Sequence, residues 1–274
     1  MVIRKLNPLY GWKWLRDGWH IFMTNPSLWL AMMAMSFFGS VFLMAVPVIG
    51  IVVFFMLWPV LQAGLLLGIK DLEAGKALEL KHLFAGFKAT PKPLAAIGGF
   101  SLLSALLTIW ILTMGWGAEF EALLKLMASE SSDIAAFKEA SSNLVWPSIV
   151  GLLIFLPFTT AIWFAPALVL FNNIRPVEAM VLSFKASIRN MWPFLVYGLL
   201  YLLADMVVSY VLGIIVAIVT KLGGTAMGGT VATMLVFPVI FIFFVLLIGS
   251  IYTGYRDIFV SPEPDPATPD LASD

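Results

Sequence analysis

Asp205 is the residue in this chain best placed to do chemistry. It lies about 13 residues into an apolar run that opens at Trp192-Pro193, near mid-depth of a bilayer if the run crosses one as a helix rising 1.5 Å per residue. An ionisable group at that depth is expensive and marks a functional site by default. Gln62, Thr159, Thr160 and Ser209 are the polar residues expected at similar depth. Two roles stay open for Asp205: a proton or cation site in a small transporter or channel, and a hydrogen-bonded lock between helices. A second set is cationic: Lys13, Arg16, Lys81, Lys88, Lys185 and Arg189 fall in three short amphipathic stretches, where side chains of this kind meet anionic lipid headgroups.

Other chemistry has little to work with. There is no cysteine, so no thiolate nucleophile or thiolate metal ligand. His20 and His82 lie in different stretches without ligand spacing, and neither a metal nor any other cofactor is expected. The chain has no G-x-S-x-G, H-E-x-x-H or P-loop pattern, which weakens an enzyme reading and leaves a lipid-modifying enzyme as the third choice. Net charge is zero, so no nucleic-acid partner is expected; the expected partners are membrane lipids and, second, another membrane protein.

The elements that must position these groups follow from hydropathy. Of 274 residues, 61% are hydrophobic and 12% charged, about half the charge of a soluble domain. Residues 1–25 are Trp-rich and basic, without the core of a cleavable signal; they are expected to form an N-terminal amphipathic interfacial helix. Residues 26–258 are expected to be a transmembrane domain, and 259–274 a Pro-rich, acidic, disordered tail. No charge occurs between Pro26 and Ile69. At about 20 residues per crossing this is a hairpin, helix 1 over 26–45 and helix 2 over 47–69, turning at Pro47 and kinked at Pro59. Helix 3 is expected over 93–116, helix 4 over 146–171 with Pro157 and Pro166 inside it, and helices 5 and 6 over 192–255, turning at the glycines 223, 224, 228 and 229. An acidic loop, 117–145, separates helices 3 and 4.

Three amphipathic connectors precede the hairpins. In the first, Trp12, Leu15, Trp19 and Phe22 share a face; in the second, Leu80, Leu83, Phe84 and Phe87; in the third, Val177, Val181, Phe184 and Ile188. Each is read either as lying in the membrane interface or as packed under the bundle. The returning helices end alike, AGLLLGIKDL at 63–72, APALVLFNNI at 165–174 and GSIYTGYRDI at 249–258. The expectation is an all-α polytopic membrane protein with six transmembrane helices, three amphipathic helices at the cytoplasmic face, and a pseudo-threefold repeat. Thirteen Lys and Arg residues flank one side and three the other, which puts both termini in the cytoplasm and the acidic loop outside. Trp29 and Trp192 are expected as inner-interface anchors; Trp110, Trp116 and Trp146 as outer ones.

The blocks GWKWLRDGWHIFMTNPSLW, WPVLQAGLLLGIKDLEAGKALELKHLFAGFK and APALVLFNNIRPVEAMVLSFKASIRNMWPFLVYGLL resemble an uncharacterised family of proteobacterial six-helix inner-membrane proteins. They are more distantly similar to the membrane domain attached to some glycerophosphodiester phosphodiesterases. The resemblance spans residues 10–256 and implies fold and a bacterial inner-membrane location. It implies no catalytic residues, since the distant relatives carry their chemistry in a separate soluble domain. The readings of function are therefore a non-enzymatic membrane protein that organises lipid or a partner at the cytoplasmic leaflet, then a transporter or channel using Asp205, then a lipid-modifying enzyme.

Overall fold

In a computed structural model, residues 1–128 and 134–260 are described, and among them the ordered elements are all helical. The expected tail beyond residue 260, and Glu130 and Asp133 of the acidic stretch, lie outside the described residues. Helix α1 (Tyr10–Thr24) is broken from α2 (Pro26–Met44) at Asn25, whose backbone leaves the helical region and whose Oδ1 accepts from the Leu28 N–H. Pro26 then starts α2, where a missing N–H loses nothing. Trp29 corrects an expectation: it is fully buried and donates its indole N–H to the Ile21 carbonyl at 3.0 Å. It staples α2 to α1 rather than anchoring in lipid, whereas Trp110, Trp146 and Trp192 are exposed.

Helix α3 (Ile49–Glu73) returns from α2 through a turn at Val48 and contains Pro59. A 3₁₀ turn (Leu80–Phe84) and α4 (Ala85–Ala89) form the second connector. Helix α5 (Pro91–Ala128) leaves helical geometry at Trp116, so the span and a following segment share one continuous element. Helix α6 (Ile134–Asn143) leads into α7 (Val145–Trp163), which packs back on α5, with Phe100 and Phe158 in edge contact. Helix α8 (Ala165–Asn172) ends at Asn173 in the left-handed conformation. Helix α9 (Pro176–Arg189) is the third connector. Helix α10 (Met191–Phe259) is two arms broken at Gly224, whose φ of +84° only glycine adopts without strain. The arms fold back on each other, with the Tyr201 hydroxyl on the Phe243 carbonyl at 3.0 Å.

Among the described residues, five helical stretches are long and apolar enough to cross a membrane: Pro26–Met44, Ile49–Glu73, Pro91–Ala128, Ala135–Asn172 and Met191–Phe259, the last including the Gly224 break. The chain is a membrane protein with several such helices.

The core sits at one end, where the connectors lie. There Trp14 meets Phe194 at 5.4 Å between ring centroids, Phe194 meets Phe164 at 5.7 Å, and Phe164 meets Phe259 at 5.6 Å. Gly254 leaves room for this stack, since a Cβ there would lie 3.2 Å from the Phe164 ring. At the far end the hairpins expose Leu106, Ile109, Leu152, Leu153, Leu203 and Val207. Apolar side chains need no cover when the solvent is hydrocarbon.

Candidate functional site

Each connector docks on a returning helix, largely through small residues, and leaves most of its apolar stripe outside. The first, α1, lies against both arms of α10: a Cβ at Gly11 would come 2.4 Å from the Pro193 carbonyl of the first arm, one at Gly18 would come 2.8 Å from the Leu246 carbonyl of the second, and one at Gly249 would come 2.9 Å from the Gly18 Cα. The Ser250 hydroxyl donates to the Trp14 carbonyl at 3.0 Å. The second connector lies on α3, where a Cβ at Gly64 or Gly86 would run into the His82 or Val60 carbonyl. The third, α9, buries Ala179, Ser183, Ala186 and Ser187 on α7 and α8. Ser183 is inserted into the helix ladder there: its hydroxyl accepts from the Phe164 N–H at 3.0 Å and donates to the Thr160 carbonyl at 2.7 Å. Those two groups would otherwise bond each other; two residues on, Pro166 has no N–H to give the Ile162 carbonyl, and the two gaps together part α7 from α8.

The apolar stripes are left outside. Val177 is 70% exposed and Ile188 57%; Trp12 is 52% and Trp19 44%. Leu80, Phe84 and Phe87 are likewise exposed, while Phe22 and Leu83 of the expected stripes are buried. At about 100° per residue, the residues of α1 and α9 fall into three sectors. In α9 these are a docked sector (Ala179, Ser183, Ala186), an apolar exposed sector (Val177, Val181, Phe184, Ile188) and a charged sector (Glu178, Lys185, Arg189). Helix α1 repeats the order with Gly11, Trp14 and Gly18, then Trp12 and Trp19, then Arg16 and His20. The second connector, whose 3₁₀ turn advances about 120° per residue, buries His82, Leu83 and Gly86 and leaves Leu80, Lys81, Phe84, Phe87 and Lys88 exposed without a clean division into sectors. The two α-helical connectors run in the same rotational sense.

The ends of the returning helices converge beneath this collar. The Tyr252 hydroxyl donates to Glu73 Oε2 at 2.7 Å, Arg256 pairs with Glu73, and the Tyr255 hydroxyl donates to Asn172 Oδ1 at 2.7 Å. The Lys70 ammonium stands 4.9 Å over the Phe171 ring. One acid from each of two ends pins a connector: Asp71 holds His82 Nε2 at 3.2 Å, and Asp257 holds Lys13 Nζ at 2.7 Å and the Trp14 indole N–H at 3.2 Å. Asn190 ties down the N-terminal segment, accepting from the Leu6 N–H at 2.8 Å and donating to the Arg4 carbonyl at 2.9 Å.

The six cations singled out by sequence therefore divide. Lys13 is drawn inward by Asp257 and Asp17; Arg16 pairs with Asp17 and Lys81 with Glu79 while both stay exposed. Lys88, Lys185 and Arg189 are exposed and form no ion pair among the described residues. The intramembrane candidates are not brought together by hydrogen bonds. Asp205 lies on an exposed face beside Tyr201, Val239, Ile240 and Phe243 and accepts no hydrogen bond among the described residues. Gln62 is buried in α3. Thr159 and Thr160 donate to the Leu156 and Pro157 carbonyls of their own helix at 2.9 Å. Sequence reasoning missed Ser183 and Asn190; the signal that points to them is the recurrence of small or polar residues at 179, 183, 186 and 190, one face of a helix.

Over 268 residues the chain is 26% identical to a protein of Burkholderia thailandensis named as a probable inner membrane protein, an alignment covering 96% of each. No family model matches the chain. No solved structure matches it.

Proposed function

We propose that this chain is a non-enzymatic integral membrane protein of the bacterial inner membrane that holds or organises lipid at the cytoplasmic leaflet through its collar of three connectors. The observation that carries the reading is the three-sector order shared by α1 and α9, with the second connector likewise docked on one side and apolar and cationic where it is exposed. A helix docked by one sector, with an apolar sector and a cationic sector both exposed, is shaped to lie in a membrane interface with its stripe among acyl chains and its cations among headgroups. In this reading Met191–Phe259 contributes two crossings, giving six, and both termini are cytoplasmic, as the bias of Lys and Arg supports. The docking pattern also favours a pseudo-threefold repeat, because each connector lies on the returning helix before it and the first closes the ring on the last. The Burkholderia relative's name agrees with the location, and the distant likeness to a phosphodiesterase membrane domain agrees with a lipid setting without supplying chemistry.

The chain's lack of cysteine makes the test direct. Purified protein in vesicles of phosphatidylglycerol and phosphatidylcholine should enrich the anionic lipid around a fluorescent or spin label placed near α9. Changing Lys185 and Arg189 to Glu should abolish the enrichment, and unchanged enrichment would defeat the reading. A second reading, transport through Asp205, draws on that carboxyl accepting no hydrogen bond and forming no ion pair among the described residues. It predicts ion or proton flux in proteoliposomes that Asp205→Asn abolishes, and no flux in the wild type would remove it.

A further inference from the structure

We propose that the cleft between α5 and α9 is a seat for one anionic phospholipid, with its acyl chain in the cleft and its phosphate on Lys92 and Arg175. This rests on the collar lying in the interface and names the ligand one part of it takes. The cleft has a volume of about 520 Å³ and is lined by Ala96, Gly99, Phe100 and Leu103 of α5 and by Val177 and Met180 of α9. Its α5 wall is one helical face: Lys92, Ala96, Gly99 and Leu103 are spaced four, three and four residues apart. Lys92 therefore heads the apolar wall by one turn. On the other wall Arg175, the residue before α9, directly precedes Pro176 and Val177. Both cations are exposed and form no ion pair among the described residues.

The surroundings select the occupant. Helix α5 is one of the segments apolar enough to cross the membrane, so the solvent that fills this cleft is lipid. An apolar trough headed by two unpaired cations complements a molecule with a long apolar tail and an anionic head, and in a bilayer that is an anionic phospholipid. The second connector has a related cleft, where Phe84 and Phe87 meet Ser36, Gly39 and Leu43 of α2. In both places the exposed stripe of a connector forms one wall and a membrane-spanning helix the other.

Gly99 allows a clean test, because a Cβ there meets nothing within 4 Å; Gly99→Leu puts side-chain bulk into the cleft from a position whose Cβ displaces no protein atom. Full-length protein purified in mild detergent with added phosphatidylglycerol or phosphatidylcholine is examined by native mass spectrometry. The wild type should retain one phosphatidylglycerol per chain with a preference of about tenfold or more over phosphatidylcholine. Gly99→Leu should lose the retained lipid with unchanged thermal unfolding. Lys92→Gln with Arg175→Gln should keep a lipid and lose the preference. Gly213→Leu, also in open space, should behave as wild type. Retention by Gly99→Leu, an undiminished preference in the double variant, or a wild type that holds no phospholipid would each overturn the seat. The collar reading fails separately, in the Lys185 and Arg189 experiment, which leaves both walls of the cleft intact.

Discussion

The two ends of this molecule are held together by different physics. At the connector end, helices approach until glycine Cα atoms and carbonyls touch, serine hydroxyls bridge backbone groups, and carboxylates pin cations and an indole. At the far end the hairpins present leucine, isoleucine and valine outward and make fewer specific contacts. Hydrocarbon solvates an exposed leucine as well as a protein core does, so apolar area gives little reason for helices to associate there. Close backbone approach and polar pairing do; the chain concentrates polar pairing where its connectors lie, while close approach also recurs elsewhere, as at Gly50 on the Leu43 carbonyl and Gly98 on the Phe55 carbonyl.

Substitutions that treat the two ends alike should therefore give unlike results. The largest contrast is expected between Gly18→Leu and Gly213→Leu. The first drives a side chain into the Leu246 carbonyl and Ser250 and should destabilise by about 3 kcal/mol or more, seen as a large drop in thermal unfolding temperature in detergent. The second meets open space and should change stability by less than about 0.5 kcal/mol. Equal effects would remove the contrast.

Smaller effects sharpen it. Ser183→Ala should cost about 1–3 kcal/mol if the Phe164 N–H and Thr160 carbonyl stay parted; a stability equal to wild type would mean that these two groups bond each other, with Pro166 still parting α7 from α8. Asn190→Ala should cost a similar amount and free residues 1–8, read as faster proteolysis near the N-terminus with the bundle intact. Smallest is Asp257→Asn, which weakens a part-exposed ion pair with Lys13 and a hydrogen bond from Trp14. It should lower stability by about 1 kcal/mol, less so at high salt.

Much of the layout was legible in the sequence. Uncharged runs of apolar residues gave the membrane character, and the glycines at 223 and 224 gave the fold-back of α10. Asn172-Asn173 read as a helix end, which it is, although Asn172 also receives the Tyr255 hydroxyl. The connectors were legible as amphipathic, but hydropathy left open which face docks. Besides Trp14, His82 and Leu83, the docked residues are glycine, alanine and serine, which carry almost no hydropathy signal; what fits these to the task is the absence of side-chain bulk. Trp29 misled for the opposite reason: a tryptophan beside a headgroup-level proline looks like an interfacial anchor, and only the nearby Ile21 carbonyl reveals its partner. The candidate partners of Asp205 were chosen by depth alone, and depth does not tell which side of a helix a residue occupies.

The orientation of the connectors is the claim on which the functional account turns, and spin labels on single cysteines measure it. Labels at Val181 and Ile188 should collide with oxygen and be shielded from a water-soluble nickel reagent, while labels at Lys185 and Arg189 should be open to the reagent. If Val181 and Ile188 prove as accessible to nickel as Lys185, the stripe faces water, and the lipid-facing collar is wrong.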